Sequence, residues 1–134
     1  QTMTDRKTYE GGCHCGAVRF RVIVGKHQAL DCNCSICTKK GFEHLIVPPE
    51  QFELLQGAEA LSTYTFNTGI ARHTFCSICG IHPFYHPRSH PDDYDVNVRC
   101  LDGNLLSQFR IVPFNGANWE DNIDRLRSSQ EQNR

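Results

Sequence analysis

At 134 residues and 39% hydrophobic content, the chain suits one compact domain whose modest core would gain from a metal staple. The formal charge is −1 with neutral thiols, so there is no basic excess to drive phosphate binding, and nucleic acid is not an expected partner. No apolar run reaches the roughly 18 residues of a membrane span, and residues 1–12 lack the apolar stretch of a signal peptide.

In chain order, residues 1–8 read as a flexible N-terminus, 9–127 as a single domain and 128–134 as a flexible tail. Met3 is the only methionine, so native translation would start there with Gln1-Thr2 a remnant, or the chain is a fragment of something longer. Residues 17–24 alternate, with Val18, Phe20, Val22 and Val24 on one face and Arg19 and Arg21 on the other, as in a half-buried strand. A short helical turn is expected after Ser35, ending before Gly41. Residues 61–66 and 94–100 repeat the period of two, and shorter strands are expected at 44–47, 72–75 and 81–85. Gly25, Pro48-Pro49, Gly57, Gly69, Pro87, Pro91 and Gly103 punctuate them. Trp119, Ile123 and Leu126 recur at helical spacing behind the N-cap Asn118, predicting a short C-terminal helix. The fold class is therefore mainly β.

The chemistry concentrates in the cysteines, eight in number. Seven cluster as Cys13-His14-Cys15, Cys32-Asn33-Cys34-Ser35-Ile36-Cys37 and Cys76-Ser77-Ile78-Cys79. Such tight spacings make poor frameworks for long-range disulfides, and without a secretion signal they point to metal binding in an intracellular compartment, with the cytoplasm favoured over the nucleus. Thiolates without nearby carboxylates suit zinc, with an iron–sulfur centre as the alternative. Residues i and i+2 of a strand share a face, so their sulfurs can approach the roughly 3.8 Å separation that tetrahedral Zn–S bonds require. A C-x-x-C turn achieves the same.

One metal should claim Cys32, Cys34 and Cys37, which leaves Cys13 and Cys15 to pair with Cys76 and Cys79. The competing partition groups Cys37 with Cys76 and Cys79. Four sulfurs close a structural site, whereas three leave a position at which chemistry can occur. Two Zn2+ per chain follow, and seven thiolates holding them bring the charge to roughly −4. Cys100 falls on the apolar side of its strand and reads as a buried thiol, with a fourth ligand of the second site as the other option. His14, His73, His82, His86 and His90 read as surface or hydrogen-bonded structural residues. Asn97 and Arg99 share a polar strand face that is either solvated or meets a substrate.

These residues carry a resemblance. Gly11-Gly12-Cys13-His14-Cys15-Gly16-Ala17-Val18-Arg19-Phe20, the Cys32 to Cys37 run and Thr74-Phe75-Cys76-Ser77-Ile78-Cys79-Gly80 resemble the glutathione-dependent formaldehyde-activating enzyme family. The nearer likeness is to its centromere protein V branch, through Thr63-Tyr64-Thr65-Phe66-Asn67-Thr68, Phe84-Tyr85-His86-Pro87-Arg88-Ser89, Cys100-Leu101-Asp102 and Phe114-Asn115-Gly116. The resemblance runs from Tyr9 to about Arg127. It implies an Mss4-like fold of stacked antiparallel sheets stapled by zinc. It also implies a structural zinc on Cys13, Cys15, Cys76 and Cys79 and a catalytic zinc on Cys32, Cys34 and Cys37, the same division that spacing suggests. The implied activity is that of a carbon-sulfur lyase, adding glutathione to formaldehyde to give S-hydroxymethylglutathione and reversing that step. Its partners would be a small thiol such as glutathione and an aldehyde. Lys39 and Lys40 then read as a solvated pair or as contacts for a glutathione carboxylate. The rival expectation is a zinc-stabilised binding module without turnover, serving chromatin, cytoskeleton or a protein partner.

Overall fold

The computed structural model describes residues 6–65, 69, 71–87, 90–103 and 105–114. Among these described residues, ten strands and one short helix follow in order: β1 (Lys7–Gly12), β2 (Arg19–Val24), β3 (Gln28–Cys32), α1 (Ser35–Lys40), β4 (Glu43–Val47), β5 (Phe52–Gln56), β6 (Leu61–Tyr64), β7 (His73–Cys76), β8 (Phe84–Tyr85), β9 (Tyr94–Asn97) and β10 (Arg110–Phe114). They form three sheets, ordered β1-β2-β5, β10-β3-β4-β9-β8 and β6-β7. The mainly β architecture expected from the periodicity is present, with the antiparallel sheets that the family resemblance implies. Every strand pair is antiparallel except β10 with β3, which run parallel from Arg110↔Gln28 to Phe114↔Cys32.

The alternation in β2 does what its pattern demands. Val18, Phe20, Val22 and Val24 are fully buried, while Arg21 reaches solvent to pair with Glu10 and Glu53. Across the core lie Leu45 and Val47 of β4, Phe84 of β8 and Val96 of β9. Phe20 stacks on Phe52 at 5.5 Å between centroids and meets Phe84 edge-on at 6.0 Å. Burying such aromatics supplies much of the hydrophobic driving force.

The five-stranded sheet is covered on both faces, and this positions the candidate site. All five residues of β4 are buried. Side chains alternate along a strand, and directly paired residues share a face. The register sets Leu30 against His44, His44 against Asn97, Ile46 against Asp95 and Asp95 against Tyr85. The face turned away from Leu45, Val47 and Val96 therefore carries Leu30, Cys32, His44, Asp95, Asn97 and Tyr85. This polar face is buried too, with Asp95 1% and Asn97 7% exposed.

Strand edges differ from the sequence expectation where tertiary contacts intervene. The strand expected at 94–100 ends at Asn97, and Val98–Cys100 form a 3-10 turn whose Arg99 N–H donates to the Asn97 side chain. β1 begins at Lys7, two residues inside the stretch expected to be flexible. β1, β3, β5 and β10 carry no clean alternation over enough residues to be seen in advance. The helix expected at 119–126 lies outside the described residues, as do Phe66-Asn67-Thr68, Arg88-Ser89 and Asn115-Gly116 of the family-like motifs.

Candidate metal centres and the polar wall beside them

Two turns from distant parts of the chain meet to form the first thiol cluster. After β1 the chain turns back at residues 13–18, held by Cys13 N–H donating to the Val18 carbonyl at 3.1 Å and Val18 N–H donating to Cys13 Sγ at 3.3 Å. Gly12 is needed here because a Cβ would run into the Val18 carbonyl. The second turn is the knuckle after β7. Gly80 N–H donates to the Cys76 carbonyl at 2.8 Å, and Cys76 N–H donates to the Ile81 carbonyl at 2.9 Å. Gly80 sits at φ +79°, a conformation that a Cβ opposes. The four sulfurs of Cys13, Cys15, Cys76 and Cys79 lie within 4.8 Å of one another. Cys15 Sγ is 3.7 Å from both Cys13 Sγ and Cys76 Sγ. That spacing matches the roughly 3.8 Å edge of a Zn–S4 tetrahedron.

Backbone donors favour negative sulfur at this cluster. Burial raises the Cys79 thiol, but N–H groups of Cys15 and Ile81 and the neighbouring thiols outweigh it and bring it to about 6. Burial likewise opposes ionisation of Cys13, and the Val18 N–H and adjacent thiols leave it lowered. At Cys15 the Ala17 N–H favours the thiolate, yet desolvation and the three neighbouring sulfurs push it up to about 11. Four sulfurs this close cannot all ionise without a cation, and a cation is what would satisfy them.

The second cluster joins the end of β3 to α1. Cys32 is the last residue of β3, Cys34 is the N-cap of α1, and Cys37 lies on its buried side. Asn33 N–H donates to the Phe114 carbonyl at 3.2 Å, which ties the turn to β10. Gly41, at φ +65°, ends the helix where the sequence placed the stop. The three sulfurs lie within 4.8 Å of one another. Among the described residues no His, Cys, Asp or Glu ligand atom joins them, and neither Cys100 nor His44 is part of the trio. Thiol donation from Cys32 and Cys37 pulls Cys34 down to about 2 against the cost of burial. The same contacts push Cys37 well up, and Cys32 rises to about 11, chiefly through Cys34. Cys37 groups with Cys32 and Cys34, not with Cys76 and Cys79. Both clusters can therefore hold a metal ion.

An open groove of about 550 Å3 runs along this trio, lined by Asp31, Cys32, Asn33, Cys37, Thr38 and Phe114 among others. It falls within the roughly 300–1,000 Å3 range of small-ligand sites.

Beyond the trio stands a wall of polar side chains that the sequence reading did not assemble. His44 Nδ1 donates to Asp95 Oδ2 at 2.6 Å, and the two side chains are 5% and 2% exposed. The Tyr85 hydroxyl is 3.5 Å from the same nitrogen, and burial raises its pKa well above the usual phenol value. Lys40 is half-buried. Its Nζ lies 4.6 Å from the Phe42 ring centroid, 4.2 Å from that of Tyr85 and 3.2 Å from His73 Nδ1. Desolvation lowers the Lys40 pKa, opposed by the charges of Cys37, Asp95, Cys34 and Cys32. Lys39 remains exposed. His73 stacks on Tyr85 at 4.6 Å, and burial together with Lys40 lowers it to about 4.

The remaining candidates fall into place around this wall. Asn97 and Arg99 do not share one environment: Asn97 is buried and accepts from Glu43 N–H and Arg99 N–H, whereas Arg99 is exposed and pairs with Glu43 at 3.5 Å. Cys100 belongs to neither cluster, faces the His82 carbonyl at 3.9 Å and is raised by burial to about 12. His14 is exposed, and His86 Nδ1 donates to the Asp93 carbonyl at 2.9 Å. Burial lowers His82 to about 4.

Comparison with known proteins agrees with this geometry. The family model described as glutathione-dependent formaldehyde-activating enzyme matches residues 8–113. A Halomonas elongata protein provisionally named as a glutathione-dependent formaldehyde-activating enzyme is 37% identical over 79 residues. That match covers 52% of this chain and 50% of the relative, so the chain spans about half the length of the curated relative it matches. The crystal structure of a Rhodobacter sphaeroides protein superposes with a TM-score of 0.70 at 38% identity, covering 78% of this chain and 97% of that one.

Proposed function

The chain belongs to the glutathione-dependent formaldehyde-activating enzyme family, and from that membership we propose that it is a zinc-dependent carbon-sulfur lyase acting on thiol–aldehyde adducts. Glutathione is the thiol and formaldehyde the aldehyde in this reading. The observation that carries it is the unequal pair of clusters, four sulfurs that can close around an ion and three that cannot. Cys13, Cys15, Cys76 and Cys79 are assigned the structural zinc, and Cys32, Cys34 and Cys37 the catalytic one.

A zinc ion held by the trio would supply positive charge that favours a substrate thiolate over its thiol. The chain's own residues do the rest. The groove beside Cys32 and Cys37 holds the thiol-bearing peptide. Lys40, fixed between Phe42 and Tyr85, places an ammonium beside the thiolates, where it favours negative charge developing on an aldehyde oxygen. Phe42 and Tyr85 exclude water from that charge, which strengthens it. None of the described helices is long and apolar enough to cross a membrane.

The test is a zinc count paired with turnover, followed by NMR exchange between glutathione-bound and free formaldehyde. C34A is expected to stay folded, to lose one zinc and to lose turnover. C15A is expected to lose the fold. Turnover by a C34A protein with one zinc would refute the catalytic assignment and favour a non-catalytic, zinc-stabilised binding module.

A further inference from the structure

The reaction proposed above moves a proton from sulfur to oxygen, and the cysteine trio offers no group to carry it. Among the described residues, His44 Nε2 is a buried side-chain nitrogen with no hydrogen-bond partner. Its other nitrogen is committed to Asp95 Oδ2 at 2.6 Å. A carboxylate on Nδ1 fixes the tautomer with its hydrogen there, which leaves Nε2 with a lone pair. An unmatched buried acceptor is costly, so it persists where something pairs with it during function.

The strand register gives that nitrogen its place. His44 pairs with Leu30 on β3, so its side chain shares the sheet face that bears Cys32. Asp95, Tyr85, Lys40 and His73 surround the same space, from β9, β8, α1 and β7. Neutral His73 accepts from Lys40, whose charge discourages a proton there. Of the two imidazoles on this face, only His44 therefore combines a carboxylate partner with an unpaired nitrogen.

We propose that His44, held by Asp95, is the proton carrier of thiol–aldehyde addition. This rests on the lyase reading of the same site. In the forward direction the thiol S–H bond breaks and its proton passes to His44 Nε2. The sulfur forms a bond to the aldehyde carbon, and the C=O π pair moves onto oxygen. The proton on Nε2 then passes to that oxygen, giving the hydroxymethyl thioether and a neutral imidazole. Breakdown of the adduct follows the same steps in reverse. No electrons are gained or lost, and no co-reactant is needed. Asp95 is a positioning residue that orients the ring and stabilises the imidazolium between the two transfers.

The experiment uses the zinc-loaded full chain and glutathione alone, without aldehyde, at pH 8. In 15N-histidine NMR, His44 should begin as the neutral Nδ1–H tautomer and become doubly protonated when glutathione saturates the protein. Calorimetry in buffers of different ionisation enthalpy should show the thiol proton retained by the wild-type protein and released to buffer by H44Q. With formaldehyde added, H44Q should lose about 10²–10⁴-fold in kcat at an unchanged glutathione KM. D95N should lose kcat while its imidazole moves to a mixed tautomer. Glutathione binding with His44 still neutral, or with equal proton release in wild type and H44Q, would overturn this inference and leave the lyase reading standing. Failure of the zinc-loaded wild type to bind glutathione would overturn both. The NMR measurement on unaltered protein decides the matter even where H44Q does not fold.

Discussion

Pairwise removal of cysteines separates a clip that holds the fold from a cluster that rides on it. C13A/C15A cuts the first cluster free of the N-terminal turn, and C32A/C34A dismantles the second. Cys15 and Cys76 are 61 residues apart in sequence, while the trio spans only the stretch from Cys32 to Cys37. Treated as cross-links, closing the long loop is worth about 4 kcal/mol and closing the short one about 2 kcal/mol. Against a total stability of about 5–15 kcal/mol, the first loss is decisive and the second tolerable. The difference of about 2 kcal/mol corresponds to about 7 °C in melting temperature for a domain of this size. Urea unfolding and thermal melts of both variants, each with its zinc content measured, provide the assay. C13A/C15A should melt about 7 °C or more below C32A/C34A, or show no cooperative melt at all. Equal losses, or a greater loss in C32A/C34A, would refute the assignment of separate structural and chemical roles.

Three further outcomes follow from the structure. Phe20 is fully buried between Phe52 and Phe84, so F20A should cost about 3–5 kcal/mol in urea unfolding. His73 has a folded pKa of about 4, below its unfolded value, so the unfolded chain binds the extra proton and stability falls as pH drops below about 6.5. Its share between pH 7 and 5.5 is about 1 kcal/mol, which H73Q should remove from the pH slope of the urea midpoint; an unchanged slope would deny His73 that role. K40M keeps the aromatic packing but removes the ammonium near the thiolates, so lyase kcat/KM should fall about tenfold with the melting temperature nearly unchanged. Unchanged turnover in K40M would show that the reaction does not use this charge.

The cysteine clusters were legible in the sequence because their geometry is local. C-x-C on a strand or turn and C-x-x-C at a knuckle each bring sulfurs together within a few residues. Only the choice of pairs needed an argument about what remained. β2 was legible because it alternates over a full strand with one face in the core, and α1 because Gly41 marks its end. The polar wall was not legible. Asp95 and Asn97 alternate with Tyr94 and Val96, a pattern that normally places the polar residues in water. β9 instead lies inside its sheet, and residues from β7, β8 and α1 cover its second face. Lys40 looked like one of a solvated pair because nothing local reveals the Phe42 and Tyr85 rings that enclose it.

The buried wall has a physical rationale that the cysteines alone lack. Three thiolates around a divalent cation carry net negative charge, and placing that charge beside a hydrophobic sheet is costly unless compensating groups are built in. Lys40 supplies the compensating positive charge, and the Asp95–His44 pair is the proton carrier proposed above. An ion site serving only as a staple needs neither. At the first cluster, backbone N–H groups of Val18, Cys15 and Ile81 favour negative sulfur, and Cys15 is exposed to water. The second cluster lies beside the half-buried Lys40 ammonium and the buried His44–Asp95 pair. Backbone amides can only steady a charge, whereas an ammonium and an imidazole can follow one as it forms and disperses, and this difference between the two clusters matches the division of labour assigned to them.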